Sequence, residues 1–150
     1  GREIAAKYPE IGYREIIVDN AAMQLVRDPH QFDVLVADNL FGDVLADIGA
    51  GVIGSALLVS SINRSQDACV FEATHHIGNA FDDDGVSLAN PLALMVPAMD
   101  LLRDLDQHDA AETLWTAISG ILVDGRCRPP DLGGTAHLNT MTEAILRRIS

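Results

Sequence analysis

Two short apolar runs dominate the first third of the chain. YREIIV at 13–18 and FDVLVAD at 32–38 are dense in β-branched and aliphatic residues, the pattern of buried strands. Between them NAAMQLVR, 20–27, reads as a short helix that stops before Pro29. Residues 3–8 read as a helix at the start. After NLFG turns the chain, DVLADIGAGVIGSAL predicts a helix from Asp43 through at least Ile48. ACVFE at 68–72 predicts another strand. A polar loop follows at 73–90 and ends in a sharp helix start, with Asn90 as N-cap and Pro91 at the first helical position. That helix is expected to reach about Leu105, kinked at Pro97. Two later helices carry start signals at capping-box spacing, Asp109 with Glu112 and Thr140 with Glu143.

Strands alternating with helices predict α/β architecture. Yet only three or four strands are visible, and the second half is almost wholly helical. So small a sheet does not cover the apolar faces of five or more helices, so the remaining strands are expected to come from elsewhere. The chain opens at Gly1, without a methionine, inside what reads as a helix, which fits a fragment of a longer protein. Its 150 residues are enough to bury a real core.

Composition narrows the function classes. Apolar residues at 48% and charged residues at 21% are the balance of a folded protein. Ten Lys and Arg against 22 Asp and Glu leave a net charge of −12, which repels phosphate backbones and anionic lipid. Nucleic-acid and membrane-surface roles are therefore not expected. Cys69 and Cys127 lack metal-type spacing and read as reduced thiols in a cytoplasmic protein.

Candidate chemistry centres on Asp43 and Asp47, which stand i, i+4 on one helix just beyond the end of a predicted strand. Both carboxylates share a helix face, at the place where open α/β sheets hold ligands. Convergent carboxylates suit Mg²⁺ or Mn²⁺. The competing reading is that acids in a first helical turn only complement the macrodipole, and spacing alone does not separate the two. Asp19, also at a strand end, is most simply the N-cap of the next helix. Gly49 to Gly54 match G-x-G-x-x-G by letter, but follow a helical run rather than a strand, so they read as a helix end. His75 and His76 are adjacent, without ligand spacing, and the run Asp82, Asp83 and Asp84 reads as a solvated turn. Neither a Gly-x-Ser-x-Gly elbow nor a Cys/His nucleophile pair is present, so hydrolase chemistry has no support.

Four ordered blocks, VDNAAMQLVRDPHQFDV with DNLFGDVLADIGA, FEATH, LANPLAL and PPDLGGTAHLNTMTEAIL, resemble the isocitrate/3-isopropylmalate dehydrogenase family of metal-dependent β-decarboxylating dehydrogenases. The resemblance covers nearly the whole chain and matches the C-terminal part of that two-domain fold. It implies that 1–53 belong to the second, dimerisation and metal-site domain, and 54–150 to the cofactor-loop and helical part of the first. It implies Asp43 and Asp47 as metal ligands, with Asp19 as a third, supplied across a homodimer interface. It implies Glu72, His75 and Asn90 beside a nicotinamide cofactor. Asp82 is an acid available to an adenosine ribose, and nothing basic stands ready for a 2′-phosphate, so NAD is favoured over NADP. The implied activity is oxidative decarboxylation of a 2-hydroxy acid of the isocitrate, isopropylmalate, homoisocitrate or tartrate type, with NAD and Mg²⁺ or Mn²⁺.

Departures accompany the resemblance. Where the family has H-G-[ST]-A-P, this chain has His75-His76-Ile77-Gly78-Asn79, and its loop to Asn90 is longer. The family's proton-transfer Lys and Tyr and its substrate-clamping arginines have no counterpart here. Lys7, Tyr8 and Tyr13 fall in the wrong segment. No catalytic residue is therefore assigned in this chain, and alone it is expected not to turn over. The alternative is a non-catalytic subunit, or a free-standing structural or regulatory domain of the same fold.

Overall fold

The computed structural model describes residues 1–73 and 89–150. They divide into two compact units, Gly1–Gly49 and Ala50–Ser150.

In the first unit, α1 (Arg2–Ala5) is a single turn held by charge. Arg2 donates from Nε and Nη2 to Glu15 at 2.8 and 2.5 Å, and the Tyr13 hydroxyl donates to the same carboxylate at 2.9 Å. Next comes α2 (Val18–Arg27), whose inward residue is the buried Ala21. A 3-10 turn at Pro29–Gln31 follows, its proline fixing the entry. Asp38 then starts α3 (Asn39–Ile53) by accepting the Phe41 N–H on its side chain at 3.3 Å. This start lies four residues ahead of the sequence expectation, because the Asp38 cap outweighs the helix-weakening Gly42.

The strands expected at 13–18 and 32–38 do not form. Ile17 and Phe32 have extended backbone, but neither stretch joins a ladder. Among the described residues the only sheet is an antiparallel pair elsewhere in the chain. The residues have strand propensity but no paired neighbour among the described residues, and extended backbone becomes a strand only through its partner.

That antiparallel pair opens the second unit after a 3-10 turn at Ala56–Leu58. It consists of β1 (Ser60–Arg64) and β2 (Cys69–Ala73), with Ile62 opposite Phe71. The sequence pattern misses β1 because SSINR offers a single aliphatic residue. Three helices follow: α4 (Leu92–Asp104), α5 (His108–Asp124) and α6 (Leu138–Ile149). Strands β1 and β2 pack on α4, α4 on α5 and α5 on α6. Leu92, Met99, Ala117, Ile118, Ile121, Met141 and Ile145 form the core between them. Met141 and Ile145, one turn apart, are fully buried and set the inner face of α6.

Capping differs from expectation at two helices. Gln107 precedes α5 and His137 precedes α6, neither with a side-chain cap bond. Asp109 and Thr140 therefore lie inside their helices, where Asp109 complements the dipole from the first turn. Gly125, at φ +75°, closes α5 with its N–H on the Ile121 carbonyl, the left-handed position a glycine fills without strain. The Gly49–Gly54 run lies at the end of α3, with Gly54 at φ +114°, so the letter match to a dinucleotide fingerprint is a helix terminus.

Candidate functional site

Helix α3 decides how Asp43 and Asp47 are read. It begins at Asn39 and carries no acid in its first turn. The macrodipole acts on charges within the first turn. Asp43 is the fifth residue of the helix and Asp47 the ninth, so neither is placed to serve it. Both are exposed, and their i, i+4 spacing puts them on one helix face. Two carboxylates one turn apart, open to water, are a donor set that fits a hard divalent cation retaining several waters.

Asp19 lies in the first turn of α2. The N-cap there is Ile17, so the expectation of Asp19 as cap is corrected. Its Oδ1 accepts the Asn20 N–H at 2.6 Å, and its charge sits where the α2 dipole favours it. Among the described residues no three His, Cys, Asp or Glu side chains come together in a metal-holding group. Within one chain, then, Asp19 does not complete the Asp43 and Asp47 pair.

On the expected cofactor side, Glu72 projects from β2 and is exposed. It accepts from Asn63 Nδ2 at 2.8 Å and Ser61 Oγ at 3.3 Å, both on the neighbouring strand. Asn90 is only 4% exposed. Helix α4 starts at Leu92 with Pro91 in the N-cap position, one residue later than expected, and the Asn90 side chain still serves that end: its Oδ1 accepts the Leu92 N–H at 2.9 Å, and its Nδ2 donates to Asp131 Oδ2 at 3.0 Å. Ser55 Oγ donates to the same Asp131 oxygen at 2.8 Å. Asn90 thus anchors the end of the polar loop rather than offering an open side chain. Asp131, in the turn Pro130–Leu132, is the residue that sequence reasoning passed over, since PPDLGG reads there only as a helix entry. His75 and Asp82 lie outside the described residues.

The apolar residues of α3 differ in exposure. Leu45 is buried and Ile48 half-buried, whereas Val44, Val52 and Ile53 are exposed. Both cysteines are free. Among the described residues no helix is long and apolar enough to cross a membrane.

Comparison with known proteins places these observations. The family described as isocitrate/isopropylmalate dehydrogenase matches residues 1–146. The catalytic subunit 5 of the mitochondrial NAD isocitrate dehydrogenase of Arabidopsis thaliana is 43% identical over 96% of this chain and 38% of its own length. The regulatory subunit 1 of the same plant is 41% identical over 99% of this chain and 41% of its own. The isocitrate/homoisocitrate dehydrogenase of Thermus thermophilus is 40% identical, with 99% of this chain and 43% of its own length covered. The chain therefore spans about two fifths of the curated relatives it matches. Among solved structures, a β-decarboxylating dehydrogenase from Thermococcus kodakarensis superposes with a TM-score of 0.77 at 31% identity, over 99% of this chain and 43% of that one. A protein from Thermus thermophilus reaches a TM-score of 0.89 at 35% identity, over 99% of this chain and 30% of that one. The mitochondrial plant relatives overturn the expectation, drawn from the cysteines, of a cytoplasmic protein.

Proposed function

The chain belongs to the isocitrate/isopropylmalate dehydrogenase family, and from that premise we propose that it supplies the metal-binding helix of an NAD-dependent oxidative decarboxylase of a 2-hydroxy acid. The observation that carries this reading is the pair Asp43 and Asp47, exposed one turn apart on α3 and beyond its first turn. Their carboxylates would hold Mg²⁺ or Mn²⁺ together with Asp19 of a second copy. When bound, the ion would supply Lewis-acid polarisation of the substrate's oxygens, and NAD would serve as the hydride acceptor. The chain's own residues hold and orient. Asp43 and Asp47 fix the cation, while Asn90, through its bonds to Leu92 and Asp131, fixes the end of the loop that would border the cofactor.

Proton transfer would come from outside this chain. Tyr13 is tied to Glu15, whose carboxylate accepts a hydrogen bond from its hydroxyl and so holds the phenol above its ordinary pKa. That direction opposes acid–base work near neutral pH.

A second reading has its own support. The Arabidopsis regulatory subunit 1 resembles this chain almost as closely as the catalytic subunit 5 does. A regulatory subunit of the NAD isocitrate dehydrogenase of Dictyostelium discoideum is 38% identical over 99% of it. A role in a regulatory subunit of such an enzyme keeps the fold and the association without turnover.

Calorimetric titration with Mn²⁺ tests the leading proposal. The chain is expected to bind weakly, since substrate oxygens complete the shell. An Asp43→Asn/Asp47→Asn variant is expected to show no heat. Equal heats from both proteins would remove the assignment.

A further inference from the structure

Residues near the C-terminal ends of α5 and α6 line a groove of about 300 Å³. Its apolar lining comes from Ile121, which is buried, and Ala144, which is half-buried. The charged lining is Arg126, Arg147 and Arg148 against the single carboxylate of Asp124. Three of the chain's ten basic residues thus meet in one place and leave it a formal charge of +2, although the whole chain carries −12. Asp124 does not occupy all of their donors. Arg126 donates to it twice, and Arg148 once, at 3.2 Å. Arg147 donates only to Glu143 of its own helix, at 3.3 Å, and its side chain is 79% exposed. Most N–H groups of Arg147 and Arg148 therefore have no acceptor among the described residues. Basic groups in a last turn complement the helix dipole whichever way they point. Two features go beyond that. Arg126, from the link between the helices, converges on the same groove as the two arginines of α6. And α5 carries Gly120 where Arg148 lies against it, so that a Cβ there would push the guanidinium aside. Glycine inside a helix is disfavoured relative to alanine, and here it makes the room in which Arg148 reaches Asp124.

We propose that this groove binds a small, multiply charged oxyanion, a phosphate compound or a polycarboxylate. Planar guanidinium forks match the paired oxygens of such groups and stay charged in any working buffer. A volume of about 300 Å³ stands at the lower end of small-molecule sites, which suits a compact anion rather than a dinucleotide. The anion would bridge Arg147 and Arg148 to Arg126, tying the end of the last helix to the link that follows α5. The inference uses only the second unit and is independent of the metal and cofactor reading.

The test is calorimetry on the 150-residue chain with inorganic pyrophosphate and with tricarballylate, each against sodium chloride of equal ionic strength. Saturable binding of at least one is expected, with a dissociation constant of about 1 mM or tighter. The tighter of the two tells a phosphate ligand from a carboxylate one, and either supports the site. Arg147→Gln alters an exposed side chain, so it should keep the helical circular dichroism of the parent while weakening binding about tenfold. Asp124→Asn removes the carboxylate that competes for the same forks and should strengthen binding about threefold or more. Alkylation with uncharged iodoacetamide locates the site independently. Cys127 lines the groove and Cys69 lies on β2, so the saturating anion should slow reaction at Cys127 and leave Cys69 unchanged. Lack of saturable binding by both anions overturns the proposal. So does binding that Arg147→Gln leaves undiminished or that Asp124→Asn fails to strengthen, and so does any alkylation pattern other than slowing at Cys127 alone.

Discussion

Asn90 donates through Nδ2 to Asp131 Oδ2 at 3.0 Å, joining the start of α4 to a turn 41 residues further on. The same oxygen accepts from Ser55 Oγ at 2.8 Å, so one carboxylate oxygen ties three separate segments of the second unit. Removing the carboxylate leaves two donors without their acceptor in a largely buried place. Asp131→Ala is expected to lower unfolding free energy by about 2–3 kcal/mol, and Asn90→Ala by about 1–2 kcal/mol through loss of the α4 cap. In a double-mutant cycle followed by urea denaturation, the two should couple by about 1 kcal/mol. Additive effects would show that the bond contributes nothing of its own.

What could be read from the sequence, and what could not, divides on the same physics. Helix positions were legible because the signals are local: Pro29 follows the end of α2, and the Asn90 side chain accepts the first N–H of α4, one residue beyond the expected start. The carboxylate pair was legible because i, i+4 spacing is a property of any helix. Strand status at 13–18 and 32–38 was not, since a ladder depends on a neighbour the residues themselves do not encode. Asp131 escaped for a related reason. Its partners Ser55 and Asn90 stand far away in the chain, and only folding brings the three together. The start of α3 was missed locally, because NLFG looks like a turn until Asp38 is seen to cap it.

Gly134 sits where a side chain has no room. Its N–H donates to the Pro129 carbonyl at 3.0 Å, and a Cβ built on it would fall 2.0 Å from the Arg128 backbone carbonyl oxygen. Backbone on both sides of that approach must shift before any side chain fits. Gly134→Ala is expected to cost at least about 2 kcal/mol, read as a lower urea midpoint. Gly51, with open space around its Cβ position inside α3, supplies the contrast. There Gly51→Ala should be neutral or stabilising, by up to about 1 kcal/mol. If both substitutions behave alike, the close approach at Gly134 is not what constrains the turn.

Turnover is expected to be absent from the isolated chain. Its one lysine, Lys7, follows α1 and is exposed, and Tyr13 is held by Glu15. With Mg²⁺ and NAD present, highly purified chain should reduce no NAD with isocitrate, homoisocitrate, isopropylmalate or tartrate. Metal-dependent absorbance growth that scales with chain concentration would overturn the assignment of the proton-transfer groups to another part of the fold.

Acid is expected to act on the junction of α5 and α6. Asp124 ends α5, where a negative charge opposes the helix dipole. Arg126 donates to it at 2.5 and 2.7 Å, and Arg148 of α6 reaches it at 3.2 Å. The Arg126 hydrogen bond is the main cause that holds the Asp124 carboxyl below its usual value, with the charge of Arg148 adding to it. A carboxyl whose pKa is lower in the folded state stabilises the fold only while ionised. That contribution is complete above the unfolded value and is lost as pH falls through the folded one. Asp124→Asn should therefore lower the thermal midpoint near neutral pH, and the two proteins should converge as the pH falls through the lowered folded-state value of that carboxyl. Because the pair is largely exposed, salt should narrow the difference. A midpoint difference that stays constant from neutral to acid pH would show that the substitution acts through packing rather than through charge.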